Sequence, residues 1–227
     1  MSFLANIPVG ACTPICAGTS DRSAVSTRKT DIARRIVQDN RRVSRSPVPP
    51  SSVKTRAALF AGRVRDNWGA LTSDLIADCS ARLGELLLAP QTEAWLADLC
   101  CERPESRELY RDPVHGFVLL AHTEAEGRYR VPHDHGQSWV IYGVLQGEME
   151  MSTYARIEEP GMGPCLVKRG STLVRPGDVQ VYLPGDIHDT LCVRGPAIQF
   201  RFTARDLRLE TAMVRYADAG GVWVPSA

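Results

Sequence analysis

The 227-residue chain reads as a mainly β protein of α+β type, and three features point the same way. Apolar residues in 55–110 recur at helical spacing. From Gly116 onward, short apolar runs alternate with Gly, Pro and Asp. No βαβ alternation and no Gly-rich phosphate loop occurs, since Gly161-Met162-Gly163 reads as a turn between strands. Helices that precede strands suit an antiparallel sheet as the main body, with the helices packed against it.

The elements follow in order. Residues 1–54 carry nine Lys/Arg, among them Arg34, Arg35, Arg41, Arg42 and Arg45, against three Asp. The remainder carries 18 basic and 23 acidic residues. The first segment is rich in Ser, Thr and Pro and ends in Ser46-Pro47-Val48-Pro49-Pro50-Ser51-Ser52. Such a composition buries too little apolar surface to fold alone, so a disordered basic arm over 1–54 is expected before one domain at 55–227. Lys29 to Arg42 fits a short amphipathic basic helix. Arg and Ser enrichment also matches an organelle transit peptide, against which Asp21, Asp31 and Asp39 weigh. No apolar core of a secretory signal follows a basic start, and a cytoplasmic protein is expected.

Within the domain, Thr72-Ser73-Asp74 offers caps ahead of Leu75, Ile76, Cys79, Leu83, Leu86 and Leu87, a set close to the 3.6-residue period. A second helix is expected over Thr92 to Cys101, with Trp95, Leu96 and Leu99 on one face, and a third over Pro104 to Tyr110. Eight strand-like runs then follow: Phe117–Ala121, Trp139–Leu145, Met149–Ile157, Cys165–Val174, Val179–Leu183, Thr190–Val193, Ala197–Thr203 and Leu209–Tyr216. Their number and spacing suggest a sandwich or barrel over 111–227.

Bulk properties exclude several functions. A formal net charge of +1 gives no reason to expect nucleic acid as the main partner, and no run of eighteen apolar residues exists to cross a membrane. The seven cysteines (12, 16, 79, 100, 101, 165 and 192) form no Cys-x-x-Cys pair, which argues against a zinc ribbon or a thioredoxin-like site. They read as reduced, small hydrophobic residues, with Cys192 alone close to the site discussed next.

Three of the five histidines stand in distinctive settings. Val131-Pro132-His133-Asp134-His135-Gly136 leads into a strand. Residues i and i+2 of an extended chain share a face, so His133 and His135 can reach one metal ion. Neutral imidazole suits iron, zinc, copper and nickel. The second setting is Pro176-Gly177-Asp178, a short strand, then Pro184-Gly185-Asp186-Ile187-His188, 53 positions after His135. Two turn dipeptides bracket that strand and put His188 at the start of the next one, placed to complete a site from across a barrel.

Together these motifs resemble the cupin superfamily over roughly residues 110–205, about two fifths of the chain. The first cupin motif is matched by His133, His135 and Gly147, the second by Gly177, Asp178, Pro184, Gly185 and His188. The resemblance implies a double-stranded β-helix, or cupin barrel, preceded by a helical segment. The branch it is most similar to is the cysteine dioxygenase-like thiol dioxygenases, whose His-Asp-His lacks an acidic ligand and follows helices and a Tyr-Arg segment, compared here with Tyr110-Arg111. Gly136 to Val140 indeed contains no Glu. That likeness implies Fe(II) held by His133, His135 and His188, with zinc, nickel or manganese left open by the ligand set. Two features depart from cysteine dioxygenases. No cysteine stands near Val140 to form their crosslink, and Gln199-Phe200-Arg201-Phe202-Thr203 lacks their Ser-His-Tyr alternation. The departure disfavours cysteine itself as substrate.

Alternation places Gln199, Arg201 and Thr203 on one face; if Phe200 and Phe202 face the helices, Arg201 enters the barrel. There it could anchor a substrate carboxylate, a rim salt bridge being the equal alternative. Tyr142, two residues beyond Val140, lines the pocket or packs in the core. Arg111 is a second anchor candidate through the Tyr-Arg resemblance. Asp134 should point away from the metal, and His115 and His122 read as surface or hydrogen-bonded residues. The expected activity is an Fe(II)-dependent dioxygenase joining O2 to a small, anionic, thiol-bearing or related substrate, the chain pairing as a homodimer by analogy with the family. A non-oxidative metallocupin (lyase, hydrolase or isomerase) and a non-catalytic metal or ligand sensor are the competing readings.

Overall fold

A computed structural model describes residues 55–161 and 163–226. The expected basic arm, its Lys29–Arg42 helix, Cys12 and Cys16 lie outside them.

Three helices come first. Helix α1 (Arg56–Asp66) starts where the Thr55 hydroxyl accepts from the Ala58 N–H at 3.2 Å. Helix α2 (Ser73–Leu87) starts at Thr72, whose hydroxyl accepts from the Leu75 N–H at 3.2 Å, so the cap is the one the sequence offered. Its buried stripe is Leu75, Cys79, Leu83, Leu86 and Leu87. Helix α3 (Ala94–Glu102) buries Leu96 and Leu99, and Arg103, left-handed at φ 45°, ends it. No described helix is long and apolar enough to cross a membrane.

The expected third helix at Pro104–Tyr110 is instead strand β1 (Ser106–Arg111), antiparallel to β2 (Val118–Glu124) with Arg107 opposite Ala121. An open sheet edge beside β2 outweighs weak helical propensity in this short segment. The remaining strands are β3 (Tyr129–His133), β4 (Val140–Glu159), β5 (Gly163–Val174), β6 (Val179–Tyr182), β7 (Ile187–Thr203), β8 (Tyr216–Asp218) and β9 (Trp223–Pro225).

The sheet order is β1-β2-β7-β4-β5-β9-β8, with β3 also on β7 and β6 also on β4. Strands β4 and β7 are long enough to serve two sheet halves. Residues 197–203 of β7 lie between β2 and the start of β4, whereas its first residues lie between β3 and the later part of β4. Two antiparallel halves sharing one pair of long strands make the double-stranded β-helix. Runs read separately from sequence, 139–145 with 149–157 and 190–193 with 197–203, are thus continuous strands that bend midway. The β4–β7 register slips three times between Val144 and Met149. Gly147 sits in that bend at φ 79°, and a Cβ there would lie 2.6 Å from the Arg194 carbonyl oxygen.

The expected strand Leu209–Tyr216 is not formed: a 3-10 turn (Leu207–Leu209) and a loop precede β8. Leu209 is exposed, and the loop touches the end of β3 only at single points, the Asp134 N–H donating to the Val214 carbonyl at 3.0 Å and Arg215 bridging His133. On the sheet's helix side, Phe60, Leu83, Leu119, Ile141, Phe200 and Phe202 join one core. Gly143 admits α2 closely, since a Cβ there would meet Leu87 Cδ1 at 2.9 Å. The barrel interior holds Val140, Tyr142, Val144, Met149, Met151, Val174, Tyr182, Cys192 and Ala197.

Candidate metal centre

His133 closes β3 and stands directly opposite His188 of β7 in the strand register. Cross-strand partners have Cβ atoms about 5 Å apart, so this pairing alone brings two imidazoles together. His135 arrives differently from the expected shared strand edge, because β3 has already ended. The Gly136 N–H donates to Asp134 Oδ1 at 2.9 Å, Gly136 takes φ 58°, and the Ser138 N–H donates to the His135 carbonyl at 3.0 Å. This Asx turn swings His135 back beside His133.

The three rings meet with centroids 5.1 Å (133–135), 4.7 Å (133–188) and 5.0 Å (135–188) apart. One nitrogen from each can be taken so that all lie within 4.8 Å of one another, and all three residues are buried. His133 Nδ1 donates to the Val131 carbonyl at 2.8 Å, which leaves Nε2 as the lone-pair nitrogen. Both ring nitrogens of His188 and Nδ1 of His135 have no hydrogen-bond partner among the described residues. Burial, with mutual repulsion among the rings, pushes His135 down to about 3 and His188 well below the usual histidine range; His133 is likewise lowered by burial. Neutral imidazoles with unmatched lone pairs in a buried site are what a divalent metal requires, and this donor set fits one.

Aromatic neighbours fix the rings. Tyr182 stacks on His188 at 3.7 Å and 26°, while its hydroxyl donates to Met151 Sδ at 3.4 Å. The Tyr142 hydroxyl is 3.4 Å from His135 Nε2, and burial raises its pKa, so the phenol stays protonated. Asp134 points away as expected: Oδ1 accepts from the Gly136 and Val214 N–H groups.

His133 and His135 border a cavity of about 300 Å³ that Tyr142 and Arg201 also line. Phe200 and Phe202 face the helices, so alternation turns Arg201 inward as the sequence suggested, and its Nε has no partner. Arg111 does not line the cavity; Nε and one terminal nitrogen of its guanidinium bind Glu108 at 3.1 and 2.6 Å, and that terminal nitrogen also binds Asp206 at 2.9 Å. Sequence reasoning read His122 as a surface or hydrogen-bonded residue, put Gln199 on the face of Arg201 without a role, and passed over the Glu124–Arg130 pair, yet all of them line the cavity. Period-two alternation would have found His122, because its neighbours Leu119 and Ala121 are on the helix side of β2. Burial also pushes His122 down to about 3, helped by Arg201 and Arg130. Cys192 is inert: its thiol is buried in the barrel core, donates to the Glu124 carbonyl at 3.4 Å, and burial raises its pKa.

No family model matches the chain, nor does any curated protein. Among solved structures it is similar to KdgF from Halomonas sp., at 17% identity and TM-score 0.35 over 44% of this chain and 80% of that one. A double-stranded β-helix protein of Klebsiella pneumoniae matches at 16% identity and TM-score 0.36, over 58% of this chain and 87% of the other. The cupin domain of Schizosaccharomyces pombe Cnp3 matches at 12% identity and TM-score 0.34, over 43% of this chain and 57% of that one.

Proposed function

We propose that the chain is a metal-dependent dioxygenase, with ferrous iron held by His133, His135 and His188, that oxidises a small anionic substrate. The observation that carries the reading is three buried, neutral imidazoles gathered beside a polar cavity of about 300 Å³. Iron over zinc, nickel or manganese follows from the likeness of His133-Asp134-His135 to thiol dioxygenases. When bound, the metal supplies Lewis acidity and, as iron, a means of using O2.

The chain's own residues do the rest. Arg201, unopposed in the cavity, holds the substrate anion and orients the remainder toward the histidines. The protonated Tyr142 hydroxyl, beside His135, donates a hydrogen bond to a ligand oxygen or sulfur there. Tyr182 keeps the His188 ring from turning. His135 and Tyr142 sit on the buried side of the cavity, where each of these interactions is stronger than it would be in water.

The test is elemental analysis of purified protein, followed by oxygen uptake by anaerobically iron-loaded protein with small thiol carboxylates and catechol-like acids. One bound iron per chain and substrate-dependent uptake are expected. His188→Ala should weaken metal binding by more than about a hundredfold and abolish uptake. Turnover without oxygen would replace this reading with a lyase, hydrolase or isomerase; ligand binding without product would replace it with a sensor.

A further inference from the structure

We infer that the substrate carries, beside its anionic group, a neutral hydrogen-bond donor such as a hydroxyl, and that His122 and Gln199 receive it. The inference rests on the reading of the cavity as the substrate pocket and goes further, to the chemistry of the molecule that fills it.

The cavity wall holds polar atoms that the protein itself leaves unmet. His122 Nε2, Gln199 Oε1, Thr190 Oγ1 and Arg201 Nε are buried with no hydrogen-bond partner, and all four residues line the same cavity. Buried polar atoms are nearly always satisfied, so four on one wall define the complement of a ligand. Two of them are acceptors placed side by side. His122 of β2 and Gln199 of β7 are register partners, while their neighbours Ala121 and Phe200 belong to the helix-side core. The His122 ring faces the Glu105 backbone carbonyl, which favours the proton on Nδ1 and leaves Nε2, the unmet nitrogen, as an acceptor.

Electrostatics decide what kind of donor belongs there. The nearby acid, Glu124, already accepts from Arg130 Nε at 3.0 Å and from its terminal nitrogen at 2.6 Å. Arg201 and Arg130 are the cations that act on His122, and burial with their charge keeps the ring neutral. The same cations repel an ammonium at that spot, so a hydroxyl or amide N–H suits it better. Arg201 follows Gln199 by two residues on the same face, about 6.7 Å along the strand. A compact molecule with an anion and a hydroxyl a few bonds apart spans both. Such a wall selects a hydroxy acid over the amino acid of the same skeleton.

Three probes of the same carbon skeleton separate the possibilities: propionate without a donor, lactate with a hydroxyl, and alanine with an ammonium. Binding is read by ligand-observed NMR titration on the metal-free full-length chain, which removes any contribution of the hydroxyl as a metal ligand. Lactate should bind about three- to tenfold more tightly than propionate, and alanine weakest. His122→Phe and Gln199→Leu should each bring the ratio of lactate to propionate affinity close to one, whatever either does to propionate binding itself. His122→Asn, which retains an acceptor, should keep part of lactate's advantage. Arg201→Gln should weaken lactate and propionate alike by about tenfold or more. Equal binding of lactate and propionate, alanine as the tightest probe, or a lactate preference that survives both substitutions overturns the inference. Iron uptake by the same chain on anaerobic reloading keeps the two readings apart: a chain that prefers lactate yet takes up no iron sinks the dioxygenase and leaves this site standing.

Discussion

Asp134 stands between two metal-site histidines and works on the backbone. One carboxylate oxygen accepts from Gly136, which sets the turn carrying His135, and from Val214, which ties down the loop before β8, both at 2.9 Å. Charged acceptors are worth about 1.5–3 kcal/mol per bond, so Asp134→Ala should cost at least about 2 kcal/mol in urea unfolding. It should also loosen metal binding by about ten- to a hundredfold, as loss of a supporting group does. Asp134→Asn, which keeps the accepting oxygen, should stay near the parent in both. If Ala and Asn behave alike, the tie is not what positions His135. The histidines themselves were legible in the sequence, because His-x-His and a Pro-Gly turn are local signals. Arg201 was legible through alternation. Alternation put His122 within reach too, but its register partner Gln199 lies 77 residues further on, so it was read only as a surface or hydrogen-bonded residue. Arg111 misled for the same reason: its partner Asp206 lies 95 residues away.

Strands were legible where period and punctuation agreed, as in Val179–Tyr182 between two Pro-Gly pairs, but glycines read as strand ends proved to be bends. Gly147 lets β4 pass from one half of the sheet to the other without losing β7 as its partner. Gly127 offers a matched comparison: its φ is 78° against 79° for Gly147, yet a Cβ would meet nothing within 4 Å, whereas at Gly147 it would lie 2.7 Å from Ala197 Cα. Gly127→Ala should therefore cost only the left-handed backbone penalty, about 1–2 kcal/mol. Gly147→Ala adds a backbone clash of the overpacking kind, about 1–3 kcal/mol more. Chemical denaturation of the two variants measures the difference. Equal losses would mean the bend relaxes freely and does not fix the two sheet halves. The missed strand at Ser106–Arg111 and the unformed one at Leu209–Tyr216 share a cause, since β2 offers the first a continuous edge whereas the second meets β3 only in the single His133–Arg215 bridge before β8 begins at Tyr216, and neither fact is local to the sequence.

The three buried histidines come from β3, the turn after it and β7, and the half-buried His122 from β2, so the metal-free fold as a whole meets the cost of charging any of them. His122 and His135 are held at about 3, and His188 well below the model-peptide value near 6.5, all chiefly by burial. In the unfolded chain the same rings titrate near 6.5. Between those limits the unfolded state binds protons that the native state refuses, so stability is full above about pH 7 and falls as the pH drops below 6.5. Each histidine contributes a slope of about 1.4 kcal/mol per pH unit, for a loss of about 2 kcal/mol between pH 6.5 and 5. Asp112, lowered to about 2 by hydrogen bonds from His115, Val114 and Arg65 that outweigh its desolvation, adds a further loss only below pH 4. Urea unfolding of the metal-free chain at pH 7, 6 and 5 should thus show a decline in this range well before carboxylates protonate. His122→Gln should remove one proton's worth of that slope and leave the rest. A saturating zinc probe should raise stability most at pH 7 and least at pH 5, because metal and protons compete for the same nitrogens. A stability profile flat from pH 7 to 5 would show that these rings are charged or solvated in the native chain, and neutral buried imidazoles could then no longer be invoked for the metal centre.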